Sequence, residues 1–218
     1  MKTTKFDEAI KSLNKLNNSA LNLKTLDSYF EWVELHSNLI IKEQMPFTVK
    51  EKNIPRSLTI DTYNYLCKYQ SNILNIYYYL NLDSNKYVRN NNVMNDQDAT
   101  DIYCSLFLKP RNVVWINFGF NVGKEFGGKH PAIILKNLNN DVLIVAPVST
   151  NINNKKSSGT VITFEANEMY SMPAYKKRFT DITRIIPVSV HRMDKNSRVG
   201  SVNSYKFNEV INKIKKYY

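Results

Sequence analysis

Through Leu80 the apolar residues of this chain recur with a helical period, and from Arg111 onward they fall into short runs divided by turn residues. Phe6, Ala9, Ile10, Leu13 and Leu16 predict a short helix, broken by Asn17-Asn18-Ser19. A second helix is expected to start near Thr25 or Asp27, with Ser28 and Glu31 also in capping-box spacing, and to end at Pro46. On it Leu26, Tyr29, Phe30, Val33 and Ile40 form one face, and Trp32, Leu35 and Leu39 widen it. So broad a stripe wants partners on more than one side. Pro55 and Ser57 precede a third predicted helix over Thr59 to Leu80, with Thr62, Leu66, Ile73, Tyr77 and Leu80 sharing a face. Asn81 to Gln97, rich in Asn and Asp, reads as a loop or linker, and Ala99 to Leu108 as a short helix.

The second half reads strand upon strand. Val113–Phe118, Ala132–Lys136, Val142–Pro147 and Thr160–Phe164 are short, β-branched and separated by Gly, Asn, Asp and Ser. Glu165 to Tyr175 holds a helical turn ended by Pro173, Phe179 to His191 gives one or two further strands, and Tyr205 to Tyr218 a basic terminal helix. Many short strands in a small domain imply a barrel or curled sheet. The fold class is therefore α+β, helices first and a small β-barrel with a closing helix second. The expected units are a helical region over 1–90, a linker over 91–108 and the barrel over 109–218.

Charge sharpens this division. Residues 1–108 hold 12 basic and 12 acidic side chains, whereas residues 109–218 hold 18 basic against 7 acidic, which accounts for the whole net charge of +11. A basic half joined to a neutral one points to a polyanion-binding domain. Two cysteines, Cys67 and Cys104, are too few for a disulfide framework and read as buried thiols of a cytoplasmic protein. Met1 to Lys5 leads into no apolar segment, and the densest apolar run, Ile73 to Leu82, is broken by asparagines, so neither a secretory signal nor a membrane span is expected.

Chemistry concentrates between Arg111 and Thr150. Phe120 to Lys129 carries three of the six glycines, so its backbone can take positive φ and approach a ligand closely. His130 follows at the mouth of a strand, held extended by Pro131, and an ordinary imidazole pKa of about 6.5 suits proton transfer near neutrality. Lys124, Lys129 and Arg184 supply positive charge, Phe126 a stacking face, and Ser149 and Thr150 hydroxyls at a strand end. No HxH, HExxH or DxD-type cluster occurs in this half, so no metal and no cofactor are expected. The first half carries no catalytic constellation: His36 reads as a partly buried helix residue and Tyr77-Tyr78-Tyr79 as cover for a helix interface.

The order of these features resembles the MazF/PemK (Kid) family of toxin endoribonucleases. The family loop V-G-x-E-x-G-G-x-R-P is matched by Val122 to Pro131, the strand end P-[IV]-[ST] by Pro147-Val148-Ser149-Thr150, and an acidic residue three before an arginine by Asp181 and Arg184. Arg198-Val199-Gly200-Ser201-Val202 matches the tail that leads into the closing helix. The resemblance implies an SH3-like barrel, a homodimer, a cognate antitoxin and metal-independent cleavage of single-stranded RNA. It places His130, Ser149, Thr150 and Glu125 in the catalytic set and Lys124, Phe126, Lys129, Asp181 and Arg184 on the RNA. His130 stands where the family has an arginine. Because arginine stays protonated below a pKa of about 12, this exchange either changes which group moves the proton or marks a weakened enzyme. The related CcdB barrels act on a protein, so a non-catalytic module that binds nucleic acid or protein is the alternative.

Overall fold

The computed structural model describes residues 8, 11–12, 14–15, 23–50, 57–59, 80–83, 86–89, 96–119, 127–138, 141–150, 159–170, 172 and 177–218. Its elements run α1 (Leu23–Glu43), β1 (Ser57–Thr59), β2 (Leu80–Asp83), β3 (Lys86–Arg89), α2 (Asp96–Phe107), β4 (Asn112–Asn117), β5 (Lys129–Leu138) and β6 (Val142–Ser149). There follow β7 (Val161–Phe164), β8 (Met169–Tyr170), β9 (Arg178–Asp181), β10 (Ile186–Ser189), β11 (Gly200–Val202) and α3 (Ser204–Tyr217).

Strands β4 to β11 form the nearly closed antiparallel barrel that the turn-divided apolar runs predict, in the order β7-β9-β6-β5-β4-β11-β8. β6 makes the corner. One edge pairs with β5, and the other pairs first with β10 (Val142↔Ser189 to Val145↔Ile186) and then with β9 (Val148↔Thr180). A register shift in β5 between Ile134 and Lys136 adds the local bend that curling requires.

Both faces of the β4–β6 sheet are buried, which is why Val113 to Ile116 reads as an unbroken apolar run. Val113, Ile133, Ala146 and Val148 face a core shared with Ile162, Phe164, Met169, Ile182 and Val202, closed by Val210, Phe207 and Ile214 of α3. Val114, Ile116, Ala132, Ile134 and Val145 face the other way, onto Ala99, Tyr103, Cys104 and Leu106 of α2, together with Phe47 and Val49. Each fully buried side chain of this size contributes roughly 1.5–3 kcal/mol. Packing therefore runs across the boundary expected at residue 109. Asn112 locks the junction, its buried Nδ2 donating to the carbonyls of Leu106 (2.9 Å) and Phe107 (3.2 Å) that the end of α2 leaves open. Arg111, at φ 78°, makes the turn from helix to strand.

Several expectations change. Thr59 and Leu80 are strand residues, and the Asn81–Gln97 segment read as a loop contains β2 and β3, which join β1 in an antiparallel three-stranded sheet. Leu80-Asn81-Leu82-Asp83 alternates apolar and polar positions and pairs antiparallel with Lys86-Tyr87-Val88-Arg89, a strand signal that the asparagine content hid. The body of the third predicted helix lies outside the described residues. In the first predicted helix Glu8, Lys11, Ser12, Asn14 and Lys15 are helical and exposed. In the second, Leu39 is buried and Trp32, Val33, Leu35 and His36 partly so, while Phe30 (42 % exposed) and Ile40 (49 %) of the expected face meet solvent. Met169–Tyr170 forms a short strand where a helical turn was expected, and β11 had no forecast.

Candidate functional site

β4 and β5 pair antiparallel, and the chain at their open end is drawn into a narrow neck. Gly128 N–H donates to the Gly119 carbonyl (2.6 Å), Phe118 N–H donates to the Gly128 carbonyl (2.9 Å), and Asn117 Oδ1 accepts from Gly119 N–H (2.9 Å). Gly119 (φ 87°) and Gly128 (φ 78°) both lie in the left-handed region, where a side chain is strained, so glycine is what the neck needs. Lys124, Glu125 and Phe126, expected to act on RNA from the loop, lie outside the described residues.

His130 is the second residue of β5 and pairs with Ile116 of β4. Its imidazole is half-buried, and a Cβ built on Gly128 would stand 3.9 Å from its Nε2. Burial lowers the His130 pKa below the usual histidine value, against a hydrogen bond with the Gly127 backbone that raises it. The neutral imidazole, a proton acceptor, is thus the favoured form near neutrality.

β5 and β6 are antiparallel with Ala132 opposite Pro147, so the start of β5 and the end of β6 lie at one end of the sheet. The structure thereby brings His130 and Ser149-Thr150 to the same rim. Ser149 is partly buried and pairs with Phe179 of β9, and Thr150 is exposed. Thr180, beside Val148, turns inward and donates to the Pro147 carbonyl (2.8 Å), which fixes the strand just before that rim.

Lys129 is half exposed next to His130. Its Nζ pairs with Asp194 Oδ2 and lies 5.7 Å from the centre of the Trp115 ring. Asp194 also accepts from Ser197 Oγ (2.6 Å) and Asn196 N–H (3.0 Å). Burial alone pushes the Asp194 carboxyl up, but these bonds outweigh it and hold the carboxyl down at about 2. Lys129 is therefore a positioned charge, partly balanced by Asp194. The sequence shows the Asp194–Ser197 turn but nothing of its partner 65 residues away.

Asp181 and Arg184 are less alike than their spacing suggests. The Asp181 carboxylate is buried and accepts from Thr183 N–H (3.2 Å) and Thr183 Oγ1 (2.7 Å), capping the 3-10 turn Ile182–Arg184. Arg184, at the end of that turn, is partly exposed. Asp181 thus acts on the barrel, and Arg184 is the member of the pair that reaches its surface. Cys104 is a buried free thiol, which burial, with Asp101 and Asp141, pushes up to about 12; Cys67 lies outside the described residues. Among the described residues no three His, Cys, Asp or Glu side chains gather as a metal site.

A family model described as the PemK-like, MazF-like toxin of type II toxin–antitoxin systems matches residues 109–218. Two solved structures from Deinococcus radiodurans are similar. MazF in one crystal form aligns at 17% identity and TM-score 0.39, over 50% of this chain and 93% of its own. A MazE–MazF crystal form aligns at 16% identity and TM-score 0.33, over 50% and 95%. No curated protein matches the chain.

Proposed function

The chain belongs to the PemK-like, MazF-like toxin family of type II toxin–antitoxin systems, and from that premise we propose that it is an endoribonuclease acting on single-stranded RNA without a metal. The observation that carries this reading is that a half-buried His130 at the start of β5 and Ser149-Thr150 at the end of β6 lie at one rim of a basic barrel. Neutral His130 takes the proton of the ribose 2′-OH, and the freed oxygen attacks the adjacent phosphorus. The Ser149 and Thr150 hydroxyls, with the Lys129 and Arg184 charges, stabilise the phosphorane oxygens. The bond to the 5′-oxygen breaks, and water at the open rim protonates the leaving group. The products are a 2′,3′-cyclic phosphate and a 5′-hydroxyl.

Glu125, Lys124 and Phe126 enter this proposal from the family motif alone, as loop residues that meet the substrate. The type II family description supports a protein antitoxin as partner, and the family's habit supports a homodimer acting in the cytoplasm. No described helix is long and apolar enough to cross a membrane. Cleavage of a defined RNA in EDTA by the purified chain, with the product ends identified, tests the reading. Uncut RNA would remove it and leave the non-catalytic binding barrel in its place.

A further inference from the structure

Helix α1 reaches the loop neck through one residue. A Cβ built on Gly119 would lie 2.4 Å from Trp32 Nε1 and 3.0 Å from Trp32 Cδ1, so the indole rests directly on the glycine backbone. The ring is fixed from behind: it stacks on His36 at 5.0 Å and 14°, and Tyr29 stands 6.0 Å away. α1 itself packs on the 3-10 turn Val190–Arg192, whose Arg192 Nη1 donates to the Asn117 carbonyl at the edge of the same neck (3.4 Å). The neck therefore meets Trp32 at Gly119, and the His130 imidazole lies near its other side at Gly128, with the Gly128–Gly119 hydrogen bond between the two.

We propose that Trp32 is a positioning residue, clamping the Gly119–Gly128 neck so that the adjoining His130 is presented in one geometry. Its effect on cleavage rests on the ribonuclease reading above; its effect on the neck does not. The indole meets backbone at a position where only glycine fits, so it acts on the shape of the neck and not on substrate. A displacement of about 1 Å at a reacting group is enough to cost on the order of 10²-fold in rate. Helix α1 on this account completes the site from outside the family-matched half.

The test compares the full chain with Trp32→Ala, Trp32→Phe and Gly119→Ala, using RNA cleavage kinetics and amide hydrogen exchange. Trp32→Ala is expected to lower kcat about 10- to 100-fold with KM little changed. The Gly128 and Phe118 amides should lose protection while Ile133 and Ile134 keep theirs. Trp32→Phe restores a flat ring and should recover most of both. Gly119→Ala, which drives the indole off, should reproduce the exchange change even if Trp32→Ala fails to fold. Unchanged protection at Gly128 in Trp32→Ala and Gly119→Ala overturns the proposal, and so does a rise in kcat, which would make the helix a restraint. If the wild type cuts no RNA, the ribonuclease reading falls, and exchange at Gly128 still decides the clamp.

Discussion

At His130, burial sets the direction of pH dependence. Its lowered pKa means that the unfolded chain binds more protons between the folded pKa and the ordinary value of about 6.5. The contribution to stability is therefore complete above that value and is lost as pH falls through the window. Catalysis by neutral imidazole shares the sign. The kcat/KM for RNA should be level near neutrality and decline only as pH falls through the lowered folded pKa, below the ordinary value, and His130→Ala should remove that acid limb. A wild-type profile flat from about pH 5 to 8 would dissociate His130 from proton transfer. Tyr103 makes a contrasting case. Its ring is 1 % exposed and packs edge-on to Phe107 at 4.8 Å, but its hydroxyl is buried with no hydrogen-bond partner among the described residues. Tyr103→Phe keeps the packing and deletes the stranded group, so it should be neutral or stabilise by up to about 1 kcal/mol in denaturant unfolding. A loss beyond about 1 kcal/mol would show that the hydroxyl has a partner.

Among the elements, α2 decides where the barrel begins. The family match starts at residue 109, yet Ala99, Tyr103, Cys104 and Leu106 fill the face of β4–β6 that α3 does not reach, and Phe47 and Val49 complete it. Val49 N–H donates to Thr100 Oγ1 (2.8 Å), tying that segment to α2. A fragment of residues 109–218 should melt well below one of residues 46–218, or aggregate, because it uncovers this face. Equal melting temperatures would show that α2 only lies on a barrel complete without it. Strands β4 to β6 were legible because burial on both faces leaves β-branched runs between turn residues, and α3 because its period is helical, whereas β8 and β11 are too short to show a pattern. β2 and β3 were not legible either, since asparagines around them read as loop and β3, Lys86-Tyr87-Val88-Arg89, has no two-residue period. The inward face of α1 was also hidden: sequence shows a broad stripe, and only the barrel's position selects Trp32 and Leu39 from it. Of the site, His130 and Ser149-Thr150 were readable from local motifs. The Lys129–Asp194 pair and the Trp32–Gly119 contact join residues far apart in sequence, and no local pattern encodes them.

For the whole molecule, the excess charge of the second half is the property that RNA would meet. Log affinity for single-stranded RNA should fall linearly with log salt, with a slope near −0.7 for each phosphate contact. Lys129→Ala should flatten the slope, whereas Asp194→Asn, which unbalances Lys129, should steepen it. Salt-independent binding would exclude a phosphate-reading surface. The chain should also scatter light as a dimer at micromolar concentration, and a monomer throughout would contradict the homodimer proposed from the family. The central claim is that His130 moves the proton, and one experiment meets it directly: cleavage of a defined single-stranded RNA in EDTA by the full chain and by His130→Ala. Cleavage by the wild type to a 2′,3′-cyclic phosphate, slowed about 10²- to 10⁴-fold by the substitution with RNA affinity nearly unchanged, is the predicted result. Cleavage by His130→Ala at the wild-type rate would contradict it.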